Sequence, residues 1–357
     1  MINVTKSYLP PIEEYQKQLS KIWNNSWLTN QGPLVQELEH KLTEHLGVEN
    51  LLFVSNGTIA IQLAIKALDL KGEIITTPFS YVATTTSIIW ENCTPVFADI
   101  DKKTFCIDPY EIEKLITPHT SGIIATHVYG HACDVFKIEE IARKHNLKII
   151  YDGAHAFGVT INDNSIFNYG DVSTISFHAT KLFHTVEGGA IVTKDKKLAE
   201  KLYLYRSFGH IADDYYSVGI NGKNSEFHAA MGLCNLPRVN EIIENRKKSV
   251  MLYKSLLVNS KITFPEKHAA QNYNYSYFPV VFDSEETLLA VRKTLLENEI
   301  NTRRYFYPSL NNLPYLSVKF KCPVSESISK RVLCLPLYFD LAPNDVERIC
   351  KIVNSIV

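Results

Sequence analysis

The run LLFVSNGTIAIQLAIKALDLKGEIITT, residues 51–77, decides the fold. Its first four residues are apolar at every position, not at every second one. From Ile59 the interval changes, and Ile61, Ala64, Ile65 and Leu68 recur at helical spacing. Residues 73–77 then read as a strand again. Strands that are apolar on both faces lie in a sheet covered on both sides by helices, which is the habit of parallel sheets. Outward from this unit the rhythm continues. Residues 95–98, 122–126 and 147–151 read as strands, with helices predicted over 82–90, 110–115 and 138–145. Such alternation implies right-handed crossovers and a doubly wound α/β domain.

Beyond residue 170 the pattern shifts. Residues 172–177 and 189–193 are strands joined by a loop, and 226–257 is helical with a break near Pro237. A second series follows: strand 275–282, helix 285–297, strand 301–305, helix 325–332, strand 333–337 and helix 343–356. The chain is therefore expected to form a large α/β domain over 1–245 and a smaller α+β domain over 246–357.

Composition narrows the function. With 45% hydrophobic and 11% aromatic residues the chain can build a large core, so disorder is excluded. Thirty-seven basic against 38 acidic residues leave no bulk field for a polyanion, so no nucleic acid partner is expected. Seven cysteines lie scattered without a CxxC, which argues for buried reduced thiols in a cytoplasmic protein. No basic-then-apolar leader and no run of about 18 apolar residues occurs, so no membrane is expected. The triplet Arg246-Lys247-Lys248 reads as a solvated helix face. His127 and His131 are spaced four apart, but Gly130 and the missing third ligand argue against a metal.

In an open parallel sheet ligands bind beyond the carboxyl ends of the strands. After Val54 comes Ser55-Asn56-Gly57-Thr58, opening a helix. Gly57 allows close approach and Thr58 adds a hydroxyl beside free N–H groups, which suits a phosphate; a plain helix cap is the alternative. After Tyr151 comes Asp152, followed by Gly153-Ala154-His155. A carboxylate there needs a partner such as a protonated ring nitrogen, or else caps a turn. After Ser176 comes Phe177-His178-Ala179-Thr180-Lys181, then Glu187-Gly188-Gly189. Desolvation makes such a lysine a Schiff-base nucleophile, whereas an ordinary surface lysine is the plainer reading of that segment alone. A phosphate cradle, a carboxylate and a lysine, in this order, are the parts that hold pyridoxal 5'-phosphate (PLP). Tyr81 is placed to stack on its ring.

The sequence resembles the DegT/DnrJ/EryC1/StrS family of nucleotide-sugar aminotransferases, of the aspartate-aminotransferase fold type (PLP-dependent fold type I). The motifs are WLTNQGP at 27–33, SNGT at 55–58, PFSYVAT at 78–84, PVFADID at 95–101, HVYGH at 127–131, DGAHAFG at 152–158 and SFHATK at 176–181. The resemblance implies Lys181 as the catalytic lysine and Asp152 as partner of the pyridine nitrogen. It places Gly57, Thr58 and Ser176 on the phosphate, Tyr81 on the ring face, and His155 in support of Asp152 or a cofactor oxygen. Asn221 and Lys223, in GINGK at 219–223, fit the loop that reaches the neighbouring subunit's site in a homodimer, although the family usually has an aromatic where Gly222 stands. FHATKLFHT at 177–185 is typical of the VioA-like and FdtB-like branch, which aminates dTDP-linked keto-6-deoxyhexoses for cell-surface glycans such as O-antigen. The implied reaction takes an amino group from L-glutamate to C4 of dTDP-4-keto-6-deoxyglucose, with amination at C3 of a 3-keto isomer as alternative. A sugar dehydrase of the same fold has histidine where Lys181 stands, and a non-catalytic relative is expected to lack Lys181 or Asp152.

Overall fold

The computed structural model describes residues 1–268, 270–316 and 318–357. Two helices, α1 (Ile12–Asn25) and α2 (Pro33–Leu46), precede the large sheet. The sheet itself is built from β1 (Asn50–Val54), β2 (Glu73–Thr76), β3 (Thr94–Phe97), β4 (Thr120–Thr126), β5 (Lys148–Asp152), β6 (Val172–Ser176) and β7 (Gly189–Thr193). Its helices are α3 (Gly57–Ala67), α4 (Ala83–Trp90), α5 (Pro109–Lys114), α6 (Val135–His145) and α7 (Lys196–Arg206). The spatial order is β1-β7-β6-β5-β4-β2-β3. Only β7 runs antiparallel to its neighbours, β1 and β6. The loop from Ser176 to Gly189 turns the chain straight back, so β7 begins at the end of the sheet where the other strands finish.

Two cores explain why the strands are apolar without alternation. Leu52, Val54, Ile74, Ile124, Ile150 and Ile191 pack with the inner face of α3. Their neighbours Phe53, Ile75, Ile123, Ile149 and Tyr151 pack on the opposite face, with Leu38, Leu42 and Ile138 from α2 and α6. At about 25 cal/mol per Å2 of apolar surface removed from water, both faces contribute to stability, and neither tolerates a polar side chain without a partner.

The chain then continues through α8 (Glu226–Asn235), a short 3-10 turn containing Pro237, and α9 (Val239–Leu256). Helix α9 crosses residue 245 without interruption. Val239 and Ile242 pack in the large core, while Val250 and Tyr253 pack in a separate C-terminal one. That second core lies between the antiparallel strands β8 (Ile262–Thr263), β9 (Phe278–Phe282) and β10 (Val332–Leu335) and helices α10 (Glu285–Glu297) and α12 (Pro343–Asn354), while α11 (Pro323–Arg331) places Ile328 against the large core. Ile2 belongs to it as well, its backbone bonded to Glu299 and Asn301 at 2.8 Å each.

Three expectations are corrected. Residues 301–305 form no strand; Arg303 makes one antiparallel bridge to Cys334. Strand β9 starts at Phe278, not at Tyr275, because Tyr275 sits at φ 53°, outside the strand region. Arg246 is not solvated: it is buried, donates to the Ser276 carbonyl at 3.0 Å, and burial pulls its pKa down to about 10.

Candidate active site

The C-terminal ends of β1, β2, β5 and β6 and the start of β7 open onto one cavity of about 650 Å3. Gly57, Thr58, Tyr81, Asp152, His155, Ser176 and Lys181 all line it. Thus seven of the nine residues predicted from sequence converge from four separate segments.

The cradle comes from local geometry. Asn56 caps α3, its side chain accepting from Ile59 N–H at 2.9 Å. That leaves the first two helical N–H groups, Gly57 and Thr58, without intrahelical partners. Gly57 stands where a Cβ would lie 2.9 Å from the Ser176 Cβ, so only glycine lets β6 and the helix end come this close. The Ser176 hydroxyl is thereby set beside the two free donors.

Asp152 ends β5 and is buried. Its Oδ1 accepts from Ala154 N–H at 3.1 Å and its Oδ2 from the Thr84 hydroxyl at 2.7 Å. No cation pairs with it among the described residues. His155 follows. Its Nδ1 accepts the Tyr129 N–H at 3.2 Å, presented by a backbone at φ 58°. Burial, with Lys181 and His127 nearby, pushes its pKa well below the usual histidine value. The neutral ring therefore carries its proton on Nε2. Phe306 stacks on it at 5.6 Å, and Tyr277 meets it edge-on at 4.9 Å.

Lys181 sits in the loop after β6, its Nζ 3.4 Å from the Tyr277 hydroxyl. Burial lowers its pKa below the ordinary lysine value, opposed by Asp152, Tyr305 and Tyr81. The N-terminal segment straps this loop: Ser7 donates to the Ala179 carbonyl and His184 Nε2 to the Tyr8 carbonyl, both at 2.6 Å. At the cavity wall His178 faces Glu187 at 3.6 Å.

Asn221 and Lys223 do not line this cavity. Asn221 bridges to Ser207, and the Lys223 ammonium lies 4.6 Å over the Phe208 ring. The Gly222 between them accepts from Ser55 N–H at 2.9 Å, which ties this loop to the cradle turn. Phe208, Ile211, Tyr215, Tyr216, Val218 and Ile220 beside it are exposed. His127 and His131 are each engaged elsewhere, with Cys133 N–H at 3.1 Å and the Glu266 carbonyl at 2.8 Å.

Sequence reasoning passed over Thr84, Tyr277, Tyr305, Phe306 and Arg303. Thr84 lies inside a quoted motif, but nothing in its spacing shows that its hydroxyl meets Asp152. The other four come from the C-terminal lobe, and only the fold brings them to the cavity.

Residues 11–354 match the DegT/DnrJ/EryC1/StrS aminotransferase family. The chain is 43% identical to a dTDP-4-amino-4,6-dideoxy-D-glucose transaminase of Shigella dysenteriae, covering 99% of both chains. A protein of the same name from Escherichia coli is 40% identical, over 99% of this chain and 98% of that one. Among solved structures, DesI, crystallised in the presence of its TDP-sugar product, superposes with a TM-score of 0.94 at 30% identity, covering 99% of this chain and 92% of that one. The mostly parallel large sheet and smaller C-terminal lobe are thus those of the PLP-dependent fold type I that the motifs imply. On this evidence the chain belongs to the DegT/DnrJ/EryC1/StrS aminotransferase family.

Proposed function

We propose that this enzyme is a PLP-dependent aminotransferase. It moves the amino group of L-glutamate to C4 of a dTDP-linked 4-keto-6-deoxyhexose, dTDP-4-keto-6-deoxyglucose, as a step toward O-antigen or a related cell-surface glycan. The observation that carries the reading is Asp152: a buried carboxylate with two hydrogen-bond donors and no cation paired to it among the described residues, in the same cavity as a desolvated lysine and a helix-end cradle. A protonated pyridine nitrogen supplies the missing charge, and a phosphate fits the free N–H groups of Gly57 and Thr58 with the Ser176 hydroxyl. The chain's residues therefore fit PLP. The choice of C4 follows the two relatives whose names specify that product.

When bound, PLP supplies an electron sink for the carbon that exchanges its amino group. The protein does the rest. Asp152 keeps the ring nitrogen protonated, held in place by Thr84 and Ala154. Tyr81, exposed at the mouth, covers a ring face. His155 offers its Nε2–H from a fixed orientation. Lys181 would anchor the cofactor through its Nζ, and that amine would carry the proton, with the Tyr277 hydroxyl beside it. Asn221 and Lys223 serve the partner's cradle in a homodimer. Two features support that part of the reading: neither residue lines its own cavity, and the surrounding loop exposes a row of apolar side chains.

The test is Lys181→Ala. Turnover should vanish while the circular dichroism spectrum stays that of the wild type. More than a trace of remaining transamination would sink the assignment, because no other residue can both anchor the cofactor and move the proton.

A further inference from the structure

Two consecutive arginines at the edge of the C-terminal lobe have opposite surroundings. Arg304 is committed to the structure. Its Nη2 lies 2.7 Å from Glu285 Oε1 and also donates to the Ser329 and Lys330 carbonyls at 3.4 and 3.1 Å. Its side chain is 11% exposed. Arg303 is exposed, and its hydrogen bonds among the described residues are those of its backbone, reciprocal with Cys334 at 3.2 and 2.8 Å. Its guanidinium lies 5.2 Å from the Tyr305 ring centre and lines the same cavity as Lys181, Ser176 and Asp152. No ion pair to Arg303 is present among the described residues.

The other charged groups of the cavity have tasks of their own. Lys181 is the reacting amine, Asp152 awaits a ring nitrogen, and His178 and Glu187 face one another. The cofactor phosphate is provided for on the large lobe, at the end of α3. Arg303 is thus a charged fork, pinned by its backbone to the C-terminal lobe and lying over the Tyr305 ring, with no anion paired to it among the described residues. A guanidinium in this state binds carboxylate or phosphate through paired N–H donors.

The proposed reaction presents two anions to this cavity in turn. The amino donor carries carboxylates close to its reacting carbon. The nucleotide sugar carries a diphosphate across the pyranose ring from its reacting carbon. Otherwise the two substrates share neither shape nor polarity, so a residue serving both must recognise their negative charge. We propose that Arg303 is the common anion anchor of the two half-reactions, holding a carboxylate of the amino donor in one and the diphosphate of the nucleotide sugar in the other. This inference rests on the functional reading above and assigns substrate recognition within the same cavity.

The experiment compares wild-type holoenzyme with Arg303→Gln and Arg303→Lys. Calorimetry gives the dissociation constants of dTDP and of 2-oxoglutarate, neither requiring turnover. Loss of charge-assisted hydrogen bonds should weaken both ligands about 10- to 150-fold in the Gln variant. Lysine should recover part of each loss, since it keeps the charge but not the fork. Cofactor content and the visible spectrum should match the wild type in both variants, because Arg303 has no part in holding PLP. The anchor is overturned if the Gln variant binds either ligand as tightly as wild type does. A failure of the functional reading shows separately, as wild-type enzyme that binds no dTDP at all.

Discussion

Thr84→Val probes a contact that no motif revealed. The Asp152 carboxylate can only accept, so the Thr84 proton must point to it along the 2.7 Å contact. In the Ser80–Thr84 contact of 2.9 Å the donor is then Ser80, whose one proton is shared with the Tyr81 carbonyl at 3.2 Å, and Thr126 donates to Ser80 at 3.3 Å. A chain of three hydroxyls therefore ends on the carboxylate, all of it buried. Valine keeps the shape of threonine and removes the last donor. Hydrogen bonds to charged groups are worth about 1.5–3 kcal/mol, and Asp152 would keep only the Ala154 N–H. The cofactor-free protein should lose about that much stability at neutral pH, read from denaturant midpoints. If the same loss is felt by the ring nitrogen during turnover, kcat falls about 10- to 150-fold. Thr84→Ser, which retains the hydroxyl, should restore most of both. A valine variant with wild-type stability and wild-type kcat would refute the reasoning, since Asp152 would then be held without the hydroxyl chain.

Three further outcomes follow from the geometry. Because burial favours the neutral amine of Lys181, the rate of PLP uptake by cofactor-free protein should rise with pH and level off below the ordinary lysine value of about 10.4; a plateau reached only at that value contradicts the desolvated site. Glu39 is the only carboxylate paired with Arg206, whose side chain is 1% exposed, among the described residues. Glu39→Ala strands that guanidinium in the core, and denaturant unfolding should show a loss of about 3–5 kcal/mol, with a loss under about 1 kcal/mol counting against it. If Lys223 serves the partner's cradle as proposed, Lys223→Ala should weaken cofactor binding, and mixing it with Lys181→Ala subunits should restore some activity because one site of a mixed dimer would be intact; no recovery despite confirmed subunit exchange overturns the proposed shared site.

Much of the large lobe was legible because its strands bury both faces. Consecutive apolar residues at 51–54 or 149–151, in runs too short for a helix, suit strands covered on both faces, and the residues that follow them fall at the mouth of the cavity. Helices α1 and α7 bury only one or two residues each and leave little periodic signal, whereas α2 carries Leu34, Val35, Leu38, Leu42 and Leu46 at helical spacing and is legible in the sequence. The N-terminus of α2 depends on a distant residue: buried Glu226 accepts from Leu34 and Val35 N–H at 2.8 Å each. A Cβ on Gly32 would fall 2.6 Å from that carboxyl carbon, so the glycine of the WLTNQGP motif is required by a contact that lies far away in sequence. Arg246 shows the reverse failure. Its charged neighbours Lys247 and Lys248 suggested a wet face, but at helical spacing Arg246 turns inward with Ile242 and Val250. The wall formed by Tyr277, Arg303, Tyr305 and Phe306 arises from lobe packing, which local periodicity does not encode.

Amination of a dTDP-linked keto sugar at C4 is read from the NMR spectrum of the product. Purified holoenzyme incubated with L-glutamate and dTDP-4-keto-6-deoxyglucose should give a sugar whose new nitrogen sits on C4, with 2-oxoglutarate appearing in step and no product from Lys181→Ala. An amine at C3, obtained only from the 3-keto isomer, or no aminated sugar from active, cofactor-loaded protein, would contradict it.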